Sequence, residues 1–415
     1  MPPSPDLAPP LGLALRALRS PLDAVAAPLA LAAARAAWRS DAGRLDLILP
    51  DGRRLRLGGD GAADAVAHVR DERALARLLL RGELGAGEAY VAGEWDADDL
   101  VAVIRLFLRA TRARGLESPL TRLGRLPVRV RHWRAGNSRT GSARNIHAHY
   151  DLGNDFYRLF LDDSMAYSCA LWPRPDITLD EAQAAKAERL CGWLDLGAGD
   201  HLLEIGGGWG GLAIHAARTR GCRVTAITIS RQQLAEAQAR VAAAGVADRV
   251  DIAFCDYRDL TGTFDKVVSV EMLEAVGLRY LPGYFATVAR VLRPGGRAVI
   301  QSITMPDDRF EAYRRGVDWM QTYVFPGSLI PSLGAIRGAL AGSGLAITDL
   351  DDIGPDYAPT LRVWRQRFEA QLAAVRALGH SEAFIRTWRL YLAFSEAAFA
   401  ERTLGDHQIV LERAR

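Results

Sequence analysis

Lysine is nearly absent from this 415-residue chain, whose 52 basic residues include only Lys186 and Lys266. This dominance of arginine indicates a composition bias and does not by itself imply special guanidinium chemistry. Cysteine is also scarce, and the four cysteines form no Cys-x-x-Cys pair and no His-rich ligand spacing. The sequence therefore predicts neither a disulfide framework nor a metal site, and it fits a reducing compartment.

Long apolar runs are missing as well. The Ala- and Leu-rich stretch that ends at Trp38 is interrupted by Asp23, Pro28 and Arg35. A membrane-spanning helix needs about 20 apolar residues, and no cleavable signal pattern is recognisable. We therefore expect a cytoplasmic protein that is soluble or bound peripherally at the inner membrane surface.

The length of the chain favours two domains. The segment RLDLILPDGRRLRLGG (44–59) alternates leucines around an Asp-Gly turn, which predicts a β-hairpin. Helical patterns follow at 71–81 and 97–109, so that residues 1–133 are predicted to form a small, lipid-associated α+β domain. A Gly/Ser/Asn/Arg-rich linker at 134–145 then leads into a second domain, 146–415.

Residues 105–144 carry eleven arginines and a single acid, Glu117. One interpretation is a solvated linker that reflects the arginine bias. The other is a cationic strip that faces an anionic surface, such as phospholipid headgroups or nucleic acid.

From residue 180 onward, predicted strands alternate with helical patterns. The strand candidates are 201–206, 222–229, 249–254, 265–270, 296–304, 345–351 and 407–413. This alternation predicts an α/β fold with a doubly wound, mostly parallel sheet, which binds ligands beyond the carboxyl ends of its strands.

A glycine-dense turn follows one of these strands in the sequence HLLEIGGGWGGLA (201–213). A dinucleotide fingerprint would read Gly-x-Gly-x-x-Gly, followed about 20 residues later by an acid that binds a ribose hydroxyl. The next predicted strand ends instead in Thr228 and Ser230. The turn is typical of a nucleotide site but lacks the NAD signature.

Five stretches occur in an order that is more specific than the turn alone. They read HYDLGNDFYRLFLDDSMAYSCALW (149–172), LLEIGGGWGGLAIHAA (202–217), ITISRQQ (227–233), CDYRDL (255–260) and PDYAPTL (355–361). Together they resemble the cyclopropane fatty acid synthases, a family of S-adenosylmethionine-dependent enzymes that act on double bonds in lipid acyl chains. The resemblance covers about residues 145–415, and the amino-terminal module resembles the extra domain of the phospholipid-acting bacterial members.

The resemblance implies that the glycine turn holds the methionine and ribose portions of S-adenosylmethionine. The residues at matching cofactor-binding positions are Tyr167, Ser168, Glu204, Gly206, Gly208, Thr228, Gln233, Asp256 and Tyr257. Among them, Thr228 and Gln233 are implied to hold the ribose and neighbouring groups, and Tyr257 to lie beside the adenine.

The chemistry requires an alkene aligned with a methyl sulfonium in a dry site, because an alkene is a weak nucleophile. The resemblance implies that a bound bicarbonate then takes a proton from the attached methyl, so that the ring closes. The matching catalytic positions are Cys169, Glu274 in VEMLEAVG, Gln301, the backbone of Ile303, and Tyr357.

Two positions depart from the family pattern. Ala275 follows Glu274 where a histidine is usual, and the usual HTI motif reads QSI, which places Gln301 at the position of its histidine. A glutamine amide donates hydrogen bonds but does not titrate near neutral pH. We expect bicarbonate binding to persist in a less electropositive site, and the departure leaves the product open.

We therefore expect transfer of a methyl carbon from S-adenosylmethionine to the double bond of an unsaturated phospholipid acyl chain, with a cyclopropane as the main product. The alternatives are a methyl- or methylene-branching fatty acid methyltransferase, a small-molecule C-methyltransferase and a non-catalytic lipid-binding relative. Nucleic acid is disfavoured as a partner because VSVEMLEAVG (268–277) lacks an Asn/Asp-Pro-Pro-aromatic motif. A homodimer would suit membrane docking.

Overall fold

A computed structural model describes residues 21–38, 41–111 and 152–415. The chain divides into two compact units. The first comprises the described residues of Met1–Arg134 together with Gly316–Pro326 and Glu369–Thr403, and the second comprises those of Ala135–Arg315, Gly327–Phe368 and Leu404–Arg415. The predicted division at a single point of the chain differs from this grouping, because two late segments belong with the first unit. The predicted linker at 134–145 lies outside the described residues.

Alternating leucines in the first 111 residues build the predicted hairpin. The elements here are α1 (Pro21–Ala37), β1 (Leu45–Ile48), β2 (Arg54–Leu57), β3 (Ala65–Val69), α2 (Arg73–Arg81), α3 (Glu83–Val91), β4 (Trp95–Ala97) and α4 (Leu100–Thr111). Leu45 lies opposite Leu57, and Leu47 lies opposite Leu55, which confirms the hairpin. The four strands form a sheet in the order β2-β1-β3-β4. Its leucines pack against Val103 of α4.

The rest of the described chain alternates helices and strands. Its elements are α5 (Asn154–Arg158), α6 (Leu179–Trp193), β5 (His201–Ile205), α7 (Gly211–Arg220), β6 (Arg223–Thr228), α8 (Arg231–Ala243), β7 (Val250–Phe254), β8 (Phe264–Val270), α9 (Leu273–Val276), α10 (Leu281–Val291), β9 (Leu292–Thr304), α11 (Asp307–Tyr313), α12 (Trp319–Tyr323), α13 (Leu333–Leu340), β10 (Leu345–Asp352), α14 (Gly354–Ala370), α15 (Leu372–Ala377), α16 (Glu382–Ala400) and β11 (Gly405–Arg413).

Seven strands form the sheet of the second unit, in the order β10-β11-β9-β8-β5-β6-β7. Strands β9, β8, β5, β6 and β7 pair in parallel, whereas β11 runs antiparallel to both β9 and β10. The predicted doubly wound, mostly parallel α/β fold is therefore confirmed. The seven predicted strands are all present, with the longest difference at β9, which begins at Leu292 instead of residue 296.

Apolar helices cover both faces of this sheet. Leu202 and Leu203 are neighbours on β5 and point to opposite faces. Leu202 belongs to a core cluster with Ala216 of α7 and Val241 of α8, and Leu203 belongs to one with Phe285 of α10. Because β5, β6, β7 and β8 are parallel, their carboxyl ends meet at one edge, where a ligand site is expected.

The arginine-rich segment is described only at its beginning. Arg105 and Arg109 of α4 pair with the Glu401 carboxylate, at 2.6 Å from Arg105 Nε and 2.7 Å from Arg109 Nη2. The other nine arginines of residues 105–144 lie outside the described residues. Across the described ranges, no helix is both long and apolar enough to cross a bilayer.

Candidate active site

The turn between β5 and α7 brings backbone N–H groups to the edge of the sheet. Gly206 and Gly208 adopt φ angles of 86° and 52°, in the left-handed region that favours glycine. The N–H groups of Gly206 and Gly207 donate to the Ile227 carbonyl at 3.0 and 2.9 Å, which fixes the turn against β6. Helix α7 begins at Gly211, so its electropositive amino end lies directly after the turn.

A cavity of about 450 Å³ lies at this edge. Its volume is within the range of about 300–1,000 Å³ that is usual for small-molecule sites. All nine residues predicted to bind a cofactor line it, namely Tyr167, Ser168, Glu204, Gly206, Gly208, Thr228, Gln233, Asp256 and Tyr257. The fold thus brings together, in one cavity wall, residues that are distant in the sequence.

Thr228 and Gln233 form a polar pair in this wall. Thr228 ends β6, and its Oγ1 donates to Gln233 Oε1 at 2.9 Å. Gln233 lies in the first turn of α8, where its N–H donates to the capping Ser230 hydroxyl at 3.3 Å. Both side chains are buried. The strand end therefore offers neutral polar atoms where a dinucleotide site would offer an acid.

Asp256 and Tyr257 form another part of the wall, just after β7. The Asp256 carboxylate accepts hydrogen bonds from Arg258 Nε at 2.8 Å and from Arg258 Nη2 at 2.6 Å. The Tyr257 ring packs edge-on against Tyr284, with 5.3 Å between the ring centroids. An ion pair and a ring contact therefore hold both residues in place.

Glu204 supplies a buried acid at the end of β5. Its side chain is 5% exposed, and burial raises the pKa of Glu204 to about 8. Its Oε2 has no hydrogen-bond partner among the described residues. Because buried polar atoms are normally hydrogen-bonded, this oxygen is suited to accept a bond from a ligand in the cavity.

Lys186 is a buried cation in the same wall. Its Nζ donates to Ser168 Oγ at 2.6 Å, and Gln183 Nε2 donates to the Ser168 carbonyl at 2.9 Å. Burial lowers the pKa of Lys186, while the negative charges of Glu271 and Asp162 oppose that shift. Helix α6 thus fixes Ser168 through two side chains and brings one positive charge to the cavity.

The residues predicted to be catalytic form two groups, each around a carboxylate. In the first, Glu274 Oε1 accepts the Ser302 hydroxyl at 2.9 Å and the Ile303 N–H at 2.5 Å. Burial, with the nearby charge of Glu271, raises the pKa of Glu274 to about 8. Within the described structure, Glu274 Oε2 is buried without a hydrogen-bond partner.

The second group is centred on Glu271, which the sequence analysis did not select. Glu271 Oε1 accepts the Cys169 N–H at 2.7 Å and Gln301 Nε2 at 3.0 Å. Glu271 Oε2 accepts the Tyr357 hydroxyl at 2.6 Å. Cys169, Gln301 and Tyr357 therefore converge on a carboxylate of the chain itself.

Glu271 follows β8 directly and lines the cavity. Its φ angle is 48°, a left-handed conformation that costs about 1–3 kcal/mol in a residue other than glycine. The Glu271 N–H donates to the Gln301 carbonyl at 2.8 Å and thereby fixes this conformation. One sequence signal pointed here: Glu271 is the first acid of VEMLEAVG and stands at the carboxyl end of a parallel strand, whereas the resemblance led to the second, Glu274.

Gln301 joins Glu271 to a second buried acid. Its Nε2 also donates to Asp406 Oδ2 at 3.0 Å, and its Oε1 accepts Gln408 Nε2 at 3.0 Å. Burial and the charges of Glu271 and Glu274 raise the pKa of Asp406 well above its usual range. The Gln301 amide therefore couples the two buried acids.

Cys169 contributes its backbone rather than its thiol. The Cys169 thiol is fully buried and donates to the Ala170 carbonyl at 3.2 Å. Burial raises the pKa of the thiol well above its usual value, so it is not a thiolate nucleophile at neutral pH.

The arrangement does not fit a bicarbonate in addition to Glu271. The donors that the resemblance assigns to bicarbonate include Cys169, Gln301 and Tyr357, and all three already bind the Glu271 carboxylate. A further anion beside the Glu271 carboxylate would also face like charge, which disfavours it.

Comparisons with known proteins identify the family of this chain. The family model described as mycolic acid cyclopropane synthetase matches residues 137–409. The tuberculostearic acid methyltransferase UfaA1 of Mycobacterium tuberculosis (strain ATCC 25618 / H37Rv) is 42% identical over 383 residues, which cover 89% of this chain and 88% of that protein. The cyclopropane-fatty-acyl-phospholipid synthase of Escherichia coli (strain K12) is 36% identical over 367 residues, which cover 85% and 89% respectively.

A solved structure of a mycolic acid cyclopropane synthase is also similar to this chain. The mycolic acid cyclopropane synthase CmaA1, complexed with SAH and CTAB, matches with a TM-score of 0.61 and 29% identity, over 65% of this chain and 98% of that chain. The family model and the relatives together cover both the glycine turn and the Glu271 centre. The chain belongs to the mycolic acid cyclopropane synthetase family of S-adenosylmethionine-dependent methyltransferases.

Proposed function

We propose that this chain transfers the methyl carbon of S-adenosylmethionine to the double bond of an unsaturated acyl chain in a membrane phospholipid. The observation that carries the proposal is a single cavity whose wall holds both the glycine turn and the Glu271 carboxylate. The turn suits the cofactor, and the carboxylate suits the removal of a proton after methyl transfer. A small-molecule C-methyltransferase would leave the shared amino-terminal region without a role.

The residues of the cavity fit S-adenosylmethionine. The unpartnered Glu204 Oε2 is placed to accept a hydrogen bond from an ammonium or hydroxyl group. The Thr228–Gln233 pair offers polar atoms for a ribose, and the Tyr257 ring offers an apolar face for a base. The turn glycines let a ligand approach the backbone closely, and the amino end of α7 lies directly after them.

When bound, S-adenosylmethionine would supply an electrophilic methyl group, and transfer of that methyl to the alkene would leave a cation on the acyl chain. The chain's own residues must then exclude water and stabilise that cation until a proton is lost. Tyr167 lines the cavity and packs against Trp364, with 5.3 Å between the ring centroids. Aromatic faces of this kind attract cations.

The same first step leads to two products. Loss of a proton from the new methyl with ring closure gives a cyclopropane, which is the expected main product. A hydride shift before the same proton loss gives a methylene branch. The chain is 42% identical to a protein named as a methyltransferase and 36% identical to one named as a cyclopropane synthase. These values support the methylene branch as the alternative product.

A phospholipid acceptor is supported by the extent of the alignments. Residues 137–415 number 279, so the 367 residues aligned with the phospholipid synthase must include part of the region before residue 137. That region includes most of the arginine-rich segment 105–144. An arginine near an anionic bilayer contributes about 1 kcal/mol of attraction, so this segment suits peripheral docking at the inner membrane surface. A homodimer remains a prediction.

The cofactor site can be tested without turnover. Gln233→Leu should weaken binding of S-adenosylhomocysteine about tenfold, because roughly 1.4 kcal/mol of hydrogen bonding is lost. Gln232→Leu is the matched control, since Gln232 is the neighbouring residue of α8 and does not line the cavity. Isothermal titration calorimetry should show that Gln232→Leu binds S-adenosylhomocysteine within about twofold of the wild-type affinity. Equal losses in both variants would remove Gln233 from the cofactor site.

The acceptor is tested with methyl-labelled S-adenosylmethionine and fluid vesicles. We expect label in the acyl chains of dioleoyl phosphatidylglycerol and none in those of dimyristoyl phosphatidylglycerol, because only the former has a double bond. Thin-layer separation of the released fatty acids measures the label. Equal labelling of both lipids, or no labelling by a protein that binds the cofactor, would contradict the proposed acceptor.

Membrane docking is tested by vesicle flotation. Changing Arg122, Arg125, Arg129 and Arg131 together to glutamine should reduce binding to anionic vesicles at least tenfold at low salt. A control with the same change of charge replaces four exposed arginines of the second unit, Arg174, Arg223, Arg249 and Arg315. Similar losses in both variants, or binding that ignores salt and anionic lipid, would refute a specific role for segment 105–144.

A further inference from the structure

We propose that Glu271 is the base that takes a proton from the transferred methyl carbon, in the place that the family resemblance gives to bicarbonate. This inference rests on the proposed function, since it concerns the second half of the same reaction. It follows from the disagreement between the expected bicarbonate and the observed hydrogen bonds around Glu271.

The carboxylate of Glu271 is held by donors from three separate parts of the chain. They are the Cys169 N–H at 2.7 Å, Gln301 Nε2 at 3.0 Å and the Tyr357 hydroxyl at 2.6 Å. Two of these donors bind Oε1 and one binds Oε2, and a side-chain hydrogen bond with Asp406 adds to them. Because Glu271 lines the cofactor cavity, its carboxylate faces a substrate bound there.

Hydrogen bonds and one positive charge oppose the effect of burial on the pKa of Glu271. Burial raises the pKa of Glu271, while the Tyr357 hydroxyl and the Cys169 N–H oppose the rise by stabilising the carboxylate. Lys186 adds a positive charge from α6, whereas Asp406 and Glu274 face the site from β11 and from the start of α9. A carboxylate poised in this way is closer in basicity to a catalytic base than an exposed glutamate is.

The backbone conformation of Glu271 independently supports its role as the base. Glu271 keeps a φ angle of 48°, which is unfavourable for every residue type except glycine, asparagine and aspartate. Strain of this kind persists where the surrounding structure holds it in place, and it is concentrated at functional sites. The strained position directs the side chain of Glu271 to the donors named above, and a glycine there would leave those donors free.

The step balances as a proton transfer. A Glu271 oxygen forms an O–H bond to one hydrogen of the attached methyl, and the C–H electron pair neutralises the cation. That pair closes the bond to the adjacent carbon in the cyclopropane, or forms a double bond to the methyl-bearing carbon after a hydride shift. Glu271 becomes a carboxylic acid and returns its proton to water after product release.

The test compares wild type, Glu271→Gln and Glu271→Gly in buffer freed of carbon dioxide and in the same buffer with added bicarbonate. We expect the wild-type rate to be unchanged by bicarbonate, since its donors are engaged. In both buffers, Glu271→Gln should form the cyclopropane or methylene product at a rate at least 100-fold below that of the wild type. Without bicarbonate, the rate of Glu271→Gly should be as low as that of Glu271→Gln. Added bicarbonate should raise the Glu271→Gly rate at least tenfold, because the freed donors can then bind that anion.

Binding and stability separate this role from a structural one. Both variants should still bind S-adenosylhomocysteine and unfold cooperatively, which separates loss of proton transfer from loss of the fold. A wild type that needs bicarbonate, or a Glu271→Gln variant that keeps its rate, would overturn the inference while leaving the proposed function intact. A wild type that methylates no unsaturated lipid in either buffer would instead refute the proposed function.

Discussion

The active site depends on one buried carboxylate whose hydrogen bonds must be satisfied. Glu271 stands at the end of β8, and its partners come from the loop before α6, from β9 and from α14. An unsatisfied buried carboxylate is costly, so this set of bonds couples the sheet to two segments that are far away in the sequence. The strained backbone at Glu271 is tolerated because the same bonds hold it in place.

The electrostatic balance of the cavity follows from that constraint. Glu204, Glu271, Glu274 and Asp406 are acids with raised pKa values, because each is removed from water. Lys186, one of only two lysines in the chain, provides a buried positive charge against them. The neutral amide of Gln301 joins Glu271 and Asp406 without adding charge.

Much of the fold was accessible from the sequence because periodicity and glycine turns are local signals. The seven strands and the hairpin were identified in this way, whereas the nine residues around one cavity came from the family resemblance. The sequence did not predict that Glu369–Thr403 belongs with the first unit, since contacts between distant segments leave no local pattern. Glu271 was missed for a related reason: two acids lie three residues apart in VEMLEAVG, and only the fold shows which one meets Cys169 and Tyr357.

Glu271 is inferred to remove a proton from the methyl group that the protein has transferred to the acyl chain. The most direct measurement uses S-adenosylmethionine with a trideuterated methyl group and counts the deuterium in the added carbon by mass spectrometry, in buffer freed of bicarbonate. We expect two deuterium atoms on that carbon, whether it closes a ring or forms a methylene. Three deuterium atoms in a methyl branch would show that the proton is lost elsewhere and would contradict the assignment of Glu271.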